Sequence, residues 1–328
     1  MDPKVKVGFV GAGGVARRHA DVLLGLGEVE VAGIADLNGE LASDLAGHCG
    51  ARAYRTHDEL LSGEELDALY VCVPPFAHGP PEHAAIDAGL PLFVEKPVAI
   101  DLSTASAIAE RVEAADLVTA VGYHWRYLDT VEQAAALLEG NPARLVTGSW
   151  LDKVPPPAWW VRRDRSGGQT IEQSTHVLDL IRHLTGEVSE VYAVEATAEH
   201  PRIPEADVAD VSSATLRFAD GAIGSLSSSC LLRSKHRAGL EIIAEGVAIS
   251  LSEADIVVDT GDGPERREAE ADAKTAVDRD FIDAVLGREN RIRVPYAEAL
   301  ETHHLACAIV RSASEGRPVK LTEDLVSG

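Results

Sequence analysis

The segment Gly11-Ala12-Gly13-Gly14-Val15-Ala16 constrains the fold of this chain more than any other. It follows an apolar run, Val5 to Val10. It opens a stretch with helical spacing over residues 14–27 (Val15, Ala16, His19, Val22, Leu23, Leu26). Strand, glycine loop and helix in that order begin a βαβ unit that can hold a pyrophosphate. The first glycine makes the tight turn, the second lets phosphate approach the backbone, and a small residue at Ala16 lets the helix pack on the strand. Amides and the positive dipole end at the helix N-terminus then meet the phosphates. Asp36 closes the next apolar run, Val29 to Ala35, at the distance where a carboxylate takes ribose hydroxyls. Leu37 and Asn38 follow it, with no arginine to neutralise a 2′-phosphate, so NAD is favoured over NADP. Gly11, Gly13, Gly14, Val15, Ala16 and Asp36 are the expected cofactor contacts of this loop.

Strands and helices keep alternating as far as Gly122. Strands are predicted over 53–54, 68–73, 92–94 and 117–122, and helices over 41–46, 58–61, 77–88 and 102–115. This pattern predicts a doubly wound parallel sheet with right-handed crossovers. Beyond it the pattern changes. A helix is predicted over 128–138, a strand over 144–151, a proline-rich loop over 153–168, and a helix over 171–184 that ends before Gly186. Six strands follow, over 190–198, 208–218, 222–231, 238–244, 248–251 and 255–258. Asp220-Gly221 marks a hairpin between two of them, so this part reads as an antiparallel sheet. Residues 261–273 are polar and read as a surface excursion. Helices over 275–286 and 296–314 close the chain. The fold class is α/β: a Rossmann domain over 1–123 and an α+β domain over 124–328 with a large, mostly antiparallel sheet.

The chain has 328 residues, with 53 acidic against 30 basic side chains and a net charge of -23. That field repels nucleic acid and anionic membrane, so neither is an expected partner, and any phosphate must be held by local dipoles. Cys49, Cys72, Cys230 and Cys307 are far apart and form no CxxC pair, which gives neither a disulfide framework nor a zinc site. No metal-ligand spacing such as HExxH occurs. No apolar run approaches the length of a membrane helix, and the N-terminus runs into a strand without a leader-like segment. The expected location is the cytoplasm.

Glu95-Lys96-Pro97 follows the short strand 92–94. A lysine at the carboxyl end of a parallel strand stands where open α/β sheets bind their ligands. Three further segments accompany it: Val73-Pro74-Pro75-Phe76-Ala77-His78, Val121-Gly122-Tyr123-His124-Trp125-Arg126, and Gly167-Gly168 through Glu172, His176 and Asp179. Together these resemble the motifs of the Gfo/Idh/MocA family, the glucose-fructose oxidoreductase and inositol dehydrogenase group, and the resemblance spans essentially the whole chain. It implies reversible NAD(P)-dependent oxidation of a sugar, inositol or related polyol. It also implies Val73, Pro74 and His78 beside the nicotinamide, a cis bond before Pro97, and a homodimer or homotetramer formed through the open face of the C-terminal sheet; Glu95 is expected to hold either the turn or the cofactor amide region. One position departs from the pattern: inositol dehydrogenase-like members carry Asp where this chain has Glu172.

Oxidising an alcohol carbon by hydride removal requires the hydroxyl proton to leave as well. A lysine has an ordinary pKa of about 10.4 and becomes a base only where burial or a neighbouring cation lowers it. Lys96 is the expected general acid/base and also touches the cofactor and substrate. Glu172, His176, Asp179 and His183 fall on one stripe of the predicted helix. His176 is expected to assist Lys96 at the reacting hydroxyl, and Glu172 to hold a second one. Asp179 is expected to pair with Arg126 or Arg182, with His183 structural. Trp159, Trp160, Arg162 and Arg163 lie in the long loop, a binding loop by its length and aromatic content. The two tryptophans are expected to pack on the nicotinamide or on a sugar ring, with Trp159 taken as a substrate contact, and an arginine to meet a phosphate. His124 and Arg126 are expected at the substrate at the domain junction, with Tyr123 or His124 on the nicotinamide side. Two other readings use the same fold. One is a non-catalytic nucleotide-sensing regulator, which would have no need of Lys96. The other is a glycosidase that recycles bound NAD.

Overall fold

The structure is a computed structural model and describes residues 4–197, 203 and 205–321. Ala198, the last residue of the strand predicted over 190–198, lies outside them. The elements run β1 Val5–Val10, α1 Gly14–Gly25, β2 Val29–Ala35, α2 Gly39–Cys49, β3 Arg52–Tyr54, α3 His57–Gly63, β4 Ala68–Val71, α4 Pro80–Asp87, β5 Leu92–Val94, α5 Leu102–Ala114 and β6 Thr119–Val121. Then come α6 Asp129–Leu138, β7 Leu145–Leu151, α7 Arg163–Ser166, α8 Gln169–Glu172, α9 Thr175–Thr185, β8 Val188–Ala196, β9 Val211–Phe218, β10 Ile223–Ser229 and β11 Arg237–Ala244. The chain ends with β12 Val247–Ser252, β13 Asp255–Asp259, β14 Glu265–Glu268, α10 Ala273–Val285, α11 Tyr296–Glu315 and β15 Val319–Lys320.

These elements form two compact units. The first holds the residues up to 99 with 103–124 and 272–300; the second holds 100–102, 125–271 and 301 onward. The segment 272–300, placed by sequence with the C-terminal domain, therefore folds with the first unit. The reason is packing: α10 lies on α1 and β6, and Phe281 meets the rings of Tyr70 and Phe93 edge-on at 5.4 and 5.6 Å.

The first unit is built on a parallel sheet of order β3-β2-β1-β4-β5-β6. The order reverses between β1 and β4, which is where such sheets bind ligands at their carboxyl ends. Phe9, Tyr70 and Phe93 stand side by side on β1, β4 and β5, stacked at 4.9 and 4.6 Å. All three are fully buried. Each such aromatic pair contributes about 0.5–1.5 kcal/mol beyond its buried area, so the row ties together the three strands that carry the site.

The second unit is built on nine strands, β14-β13-β12-β11-β7-β10-β9-β8-β15. All neighbours are antiparallel except β7 with β10. One face is buried: Val146, Leu216, Leu226, Leu240 and Ile242 point inward, beneath α6 and α9. The opposite face shows exposed Tyr192, Val194, Ile223 and Ile243. The excursion predicted over 261–273 contains β14, which pairs with β13. Its sequence, Glu-Arg-Arg-Glu, has no apolar alternation because it lies at the sheet edge and its side chains are mostly exposed. A second strand without a sequence signal, β15, adds to β8 at the other edge.

Candidate active site

The glycine loop joins β1 to α1 as the sequence predicts. Gly11 has φ +95°, and a Cβ there would stand 2.2 Å from the carbonyl oxygen of Cys72, so only glycine fits. Gly13 caps α1 without a side-chain bond, and no acidic residue occupies the first turn. The helix amides are therefore left for an anion. Cβ atoms at Gly13 and Gly14 would meet nothing within 4 Å, so the loop leaves room for a pyrophosphate against the backbone. Ala16 is fully buried, while Val15 is exposed. Asp36 Oδ2 accepts the N–H of Ala12 and Oδ1 that of Asn38, both at 2.8 Å. Two amides hold the carboxylate at the carboxyl end of β2, and its remaining lone pairs can take ribose hydroxyls. These residues fit a dinucleotide.

Val73 and Pro74 follow β4, half-buried in the loop before a short 3-10 turn. His78 and Glu82 are fully enclosed; His78 Nδ1 lies 2.6 Å from Glu82 Oε1, and the other carboxylate oxygen accepts the N–H of Gly79 at 2.7 Å. His78 thus anchors the start of α4, a structural task its motif did not reveal.

Glu95 and Lys96 follow β5, and the Lys96–Pro97 bond is cis. Glu95 is buried. Its Oε1 lies 2.9 Å from His19 Nε2 and accepts from Arg18 Nη2 at 3.3 Å; its Oε2 accepts the backbone N–H of Lys96 at 3.1 Å. A Cβ at position 122 would come within 2.3 Å of Glu95 Oε1, so Gly122 makes room for the carboxylate. His19 Nδ1 meets both carboxylate oxygens of Asp278 at 2.7 and 2.9 Å. Burial alone disfavours charge on both His19 and Glu95. Asp278 and then Glu95 outweigh it at His19, raising its pKa to about 9. The hydrogen bond and charge of His19, helped by Arg18 and Lys96, outweigh it at Glu95, lowering its pKa to about 2. The turn that presents Lys96 is thus held by a buried imidazolium between two carboxylates.

The second unit carries the other expected residues. The helix predicted over 171–184 is broken: α8 ends at Glu172 and α9 starts at Thr175. Ser174 Oγ lies 2.8 Å from Ser228 Oγ on β10, and Gln169 Nε2 donates to the carbonyl of Ser229 at 2.9 Å. These bonds fix the two short helices to the sheet separately. Glu172 therefore does not share a regular helical stripe with His176, Asp179 and His183. Its Oε2 accepts the indole N–H of buried Trp160 at 2.8 Å. Trp159 packs beside Trp160 against Val161, Val208 and Cys230, a small core under the long loop.

His176 is stacked on two indoles, 5.5 Å from Trp125 and 6.1 Å from Trp150, with interplanar angles of 16° and 21°. Neither tryptophan was singled out by sequence: one is an unspecified position of a motif and the other is the penultimate residue of β7. His124 is buried. Arg126, expected at the substrate, donates from its Nε and Nη2 to Asp179 at 2.8 and 2.7 Å, both groups buried. Thr302 Oγ1 also donates to Asp179 and accepts from Arg182. A buried carboxylate needs this pairing, which gives Asp179 the Arg126 partner that sequence allowed. His183 is exposed.

Among the described residues no cluster of His, Cys, Asp and Glu could hold a metal ion, and no helix is long and apolar enough to cross a membrane.

A Rossmann sheet with an open phosphate loop and a pinned ribose carboxylate defines the first unit as the nucleotide-binding half of an NAD-dependent oxidoreductase. The profile described as "Oxidoreductase family, NAD-binding Rossmann fold" matches residues 5–123, and that of the GFO/IDH/MocA C-terminal domain matches 141–250. The chain belongs to the GFO/IDH/MocA family of oxidoreductases, dehydrogenases acting on CH–OH groups. It is 27% identical to inositol 2-dehydrogenase of Rhizobium meliloti over 97% of this chain and 99% of that protein. It is also 27% identical to myo-inositol 2-dehydrogenase of Thermotoga maritima over 69% and 68%. A solved levoglucosan dehydrogenase in complex with NADH shares the fold, with a TM-score of 0.84 at 22% identity over 97% of this chain and 99% of that one.

Proposed function

We propose that this protein oxidises a sugar, inositol or related polyol with NAD, and that Lys96 is its general acid/base. The observation that carries the reading is the place of Lys96 in the first unit. It follows β5, beside β4, at the same carboxyl edge as the glycine loop after β1, and Glu95 binds its backbone N–H. Bound nicotinamide supplies the hydride acceptor. Lys96 takes the hydroxyl proton in oxidation and returns it in reduction. His176 hydrogen-bonds the reacting oxygen, its ring plane set by Trp125 and Trp150. Glu172, held by Trp160, takes a second hydroxyl. The polyol class is supported by the inositol dehydrogenases above. Asp36, with Leu37 and Asn38 beyond it, favours NAD over NADP, because a carboxylate repels a 2′-phosphate.

Lys96→Met tests the assignment. The variant is expected to bind NADH as the wild type does and to lose about 10²–10⁴ in turnover on inositols or hexoses. Full activity in that variant would remove Lys96 from the role. A panel of inositols, hexoses and sugar acids, read by absorbance with NAD and NADP in parallel, tests the substrate class and the cofactor preference.

A further inference from the structure

We propose that the loop joining β10 to β11 is an anion subsite that receives a carboxylate or phosphate substituent of the substrate; this deepens the dehydrogenase reading above and rests on it. The chain is strongly acidic overall, yet residues 233–237 read Arg-Ser-Lys-His-Arg. The loop borders a recess of about 550 Å³ whose lining includes Leu151, Ser229, Arg233, Ser234, Lys235 and His236 and no carboxylate. Guanidinium, ammonium, imidazole and two hydroxyls are the donor set that recognises anionic oxygens.

The loop is tied to the sheet. His236 N–H donates to the carbonyl of Leu151 at 2.9 Å, Leu232 N–H to that of Asp152 at 3.1 Å, and Leu231 bridges to Lys153. Lys235 Nζ stands 4.8 Å from the ring centroid of Trp150. Trp150 is one of the two indoles that stack on His176. Lys235, which lines the recess, therefore lies on the indole that also meets His176, all within the second unit. The indole N–H of Trp150 is buried and has no acceptor among the described residues.

Positive charge is left over at this loop. Arg237 is matched by Glu241 at 2.8 Å. Among the described residues Lys235 pairs with Glu253 alone, at 3.9 Å, the outer limit of an ion pair. Arg233 has no carboxylate partner among the described residues. Arginine's planar fork suits a bidentate carboxylate or phosphate. The geometry therefore selects sugars bearing a negative group over neutral ones.

The test compares glucose, glucuronate and glucose 6-phosphate. Binding is followed by tryptophan fluorescence in the presence of NADH, and turnover by absorbance with NAD. One or both anionic sugars are expected to bind about 10–100-fold more tightly than glucose, the range of a hydrogen bond to a charged group. The two anionic arms distinguish carboxylate from phosphate. Arg233→Gln with Lys235→Gln is expected to abolish that preference, while NADH affinity, a property of the first unit, reports that the protein is folded. Equal binding of all three sugars, or a double variant that keeps the preference, would overturn the subsite. Turnover of neutral polyols without any anionic preference would sink the subsite and leave the dehydrogenase reading standing. Anion-selective binding lost in the double variant, with no turnover of any sugar, would do the reverse.

Discussion

His19 Nδ1 lies 2.7 Å from Asp278 Oδ1, across 259 positions of sequence. Through its other nitrogen His19 reaches Glu95, the residue before the proposed catalytic lysine. One buried imidazolium therefore joins α1, α10 and the end of β5, and sets the turn from which Lys96 emerges.

That pairing makes the stability of the first unit depend on pH. The pKa of His19 is raised from an ordinary 6.5 to about 9. Its contribution is complete below 6.5 and is lost as the pH rises through about 9. Glu95 is lowered from 4.5 to about 2, so its contribution holds above 4.5 and is lost as the pH falls through about 2. The melting temperature is expected to fall between about pH 7 and pH 9.5, and Asp278→Asn should flatten that fall. A variant profile parallel to the wild type would refute the linkage.

Gly11 and Gly13 should separate folding from nucleotide binding. At Gly11 a methyl group meets the Cys72 carbonyl at 2.2 Å with φ at +95°, and Gly11→Ala is expected to cost about 2–5 kcal/mol. At Gly13 a methyl group meets no protein atom within 4 Å. Gly13→Ala should fold normally and weaken NADH about tenfold or more, about 1.4 kcal/mol. Calorimetric titration with NADH and thermal melts of both variants decide it; unchanged affinity at Gly13→Ala would remove the pyrophosphate from this loop.

Arg126 and Asp179 should behave as a buried ion pair. Removing one partner strands a charge and costs about 3–5 kcal/mol. Arg126→Met is expected to lower the urea midpoint strongly, and adding Asp179→Leu should recover much of the loss. A large rise in KM with unchanged stability would instead return Arg126 to the substrate.

Trp160→Phe keeps most of the buried ring and deletes the N–H that holds Glu172. A hydrogen bond to a charged group contributes about 1.5–3 kcal/mol, so KM should rise about tenfold while kcat changes little. Steady-state kinetics on the preferred polyol measure this; an unchanged KM would free Glu172 from its assigned role.

The open face of the nine-stranded sheet is proposed to join copies of the chain as a homodimer or homotetramer. Tyr192, Val194, Ile223 and Ile243 all lie exposed on it, and exposed apolar groups gathered in a patch mark interaction sites. Tyr192→Lys with Ile223→Lys is expected to reduce the particle mass in light scattering to that of one chain. A mass unchanged by the pair would place the interface elsewhere.

The parallel sheet was legible because its signals are local. β1, β2 and β5 have the bounds that their apolar runs predict, and buried parallel strands advertise themselves as such runs. The break between Glu172 and Thr175 was not legible. Residues 171–184 have helical spacing throughout, and the bonds that interrupt them come from Ser228 and Ser229, more than 50 positions away. β14 and β15 were missed for a related reason: an exposed edge strand needs no apolar face, and pairing alone defines it.

By itself the sequence determined the nucleotide half, because glycine loop, helix and Asp36 act through backbone geometry within one short stretch of chain. Only the tertiary structure decided what holds the site in place. It brought Asp278 to His19, Trp160 to Glu172, and Trp125 and Trp150 to the face of His176. Each is a partnership that a buried charge or a stacked ring requires, and nothing in residue type or spacing says which distant side chain will meet that requirement.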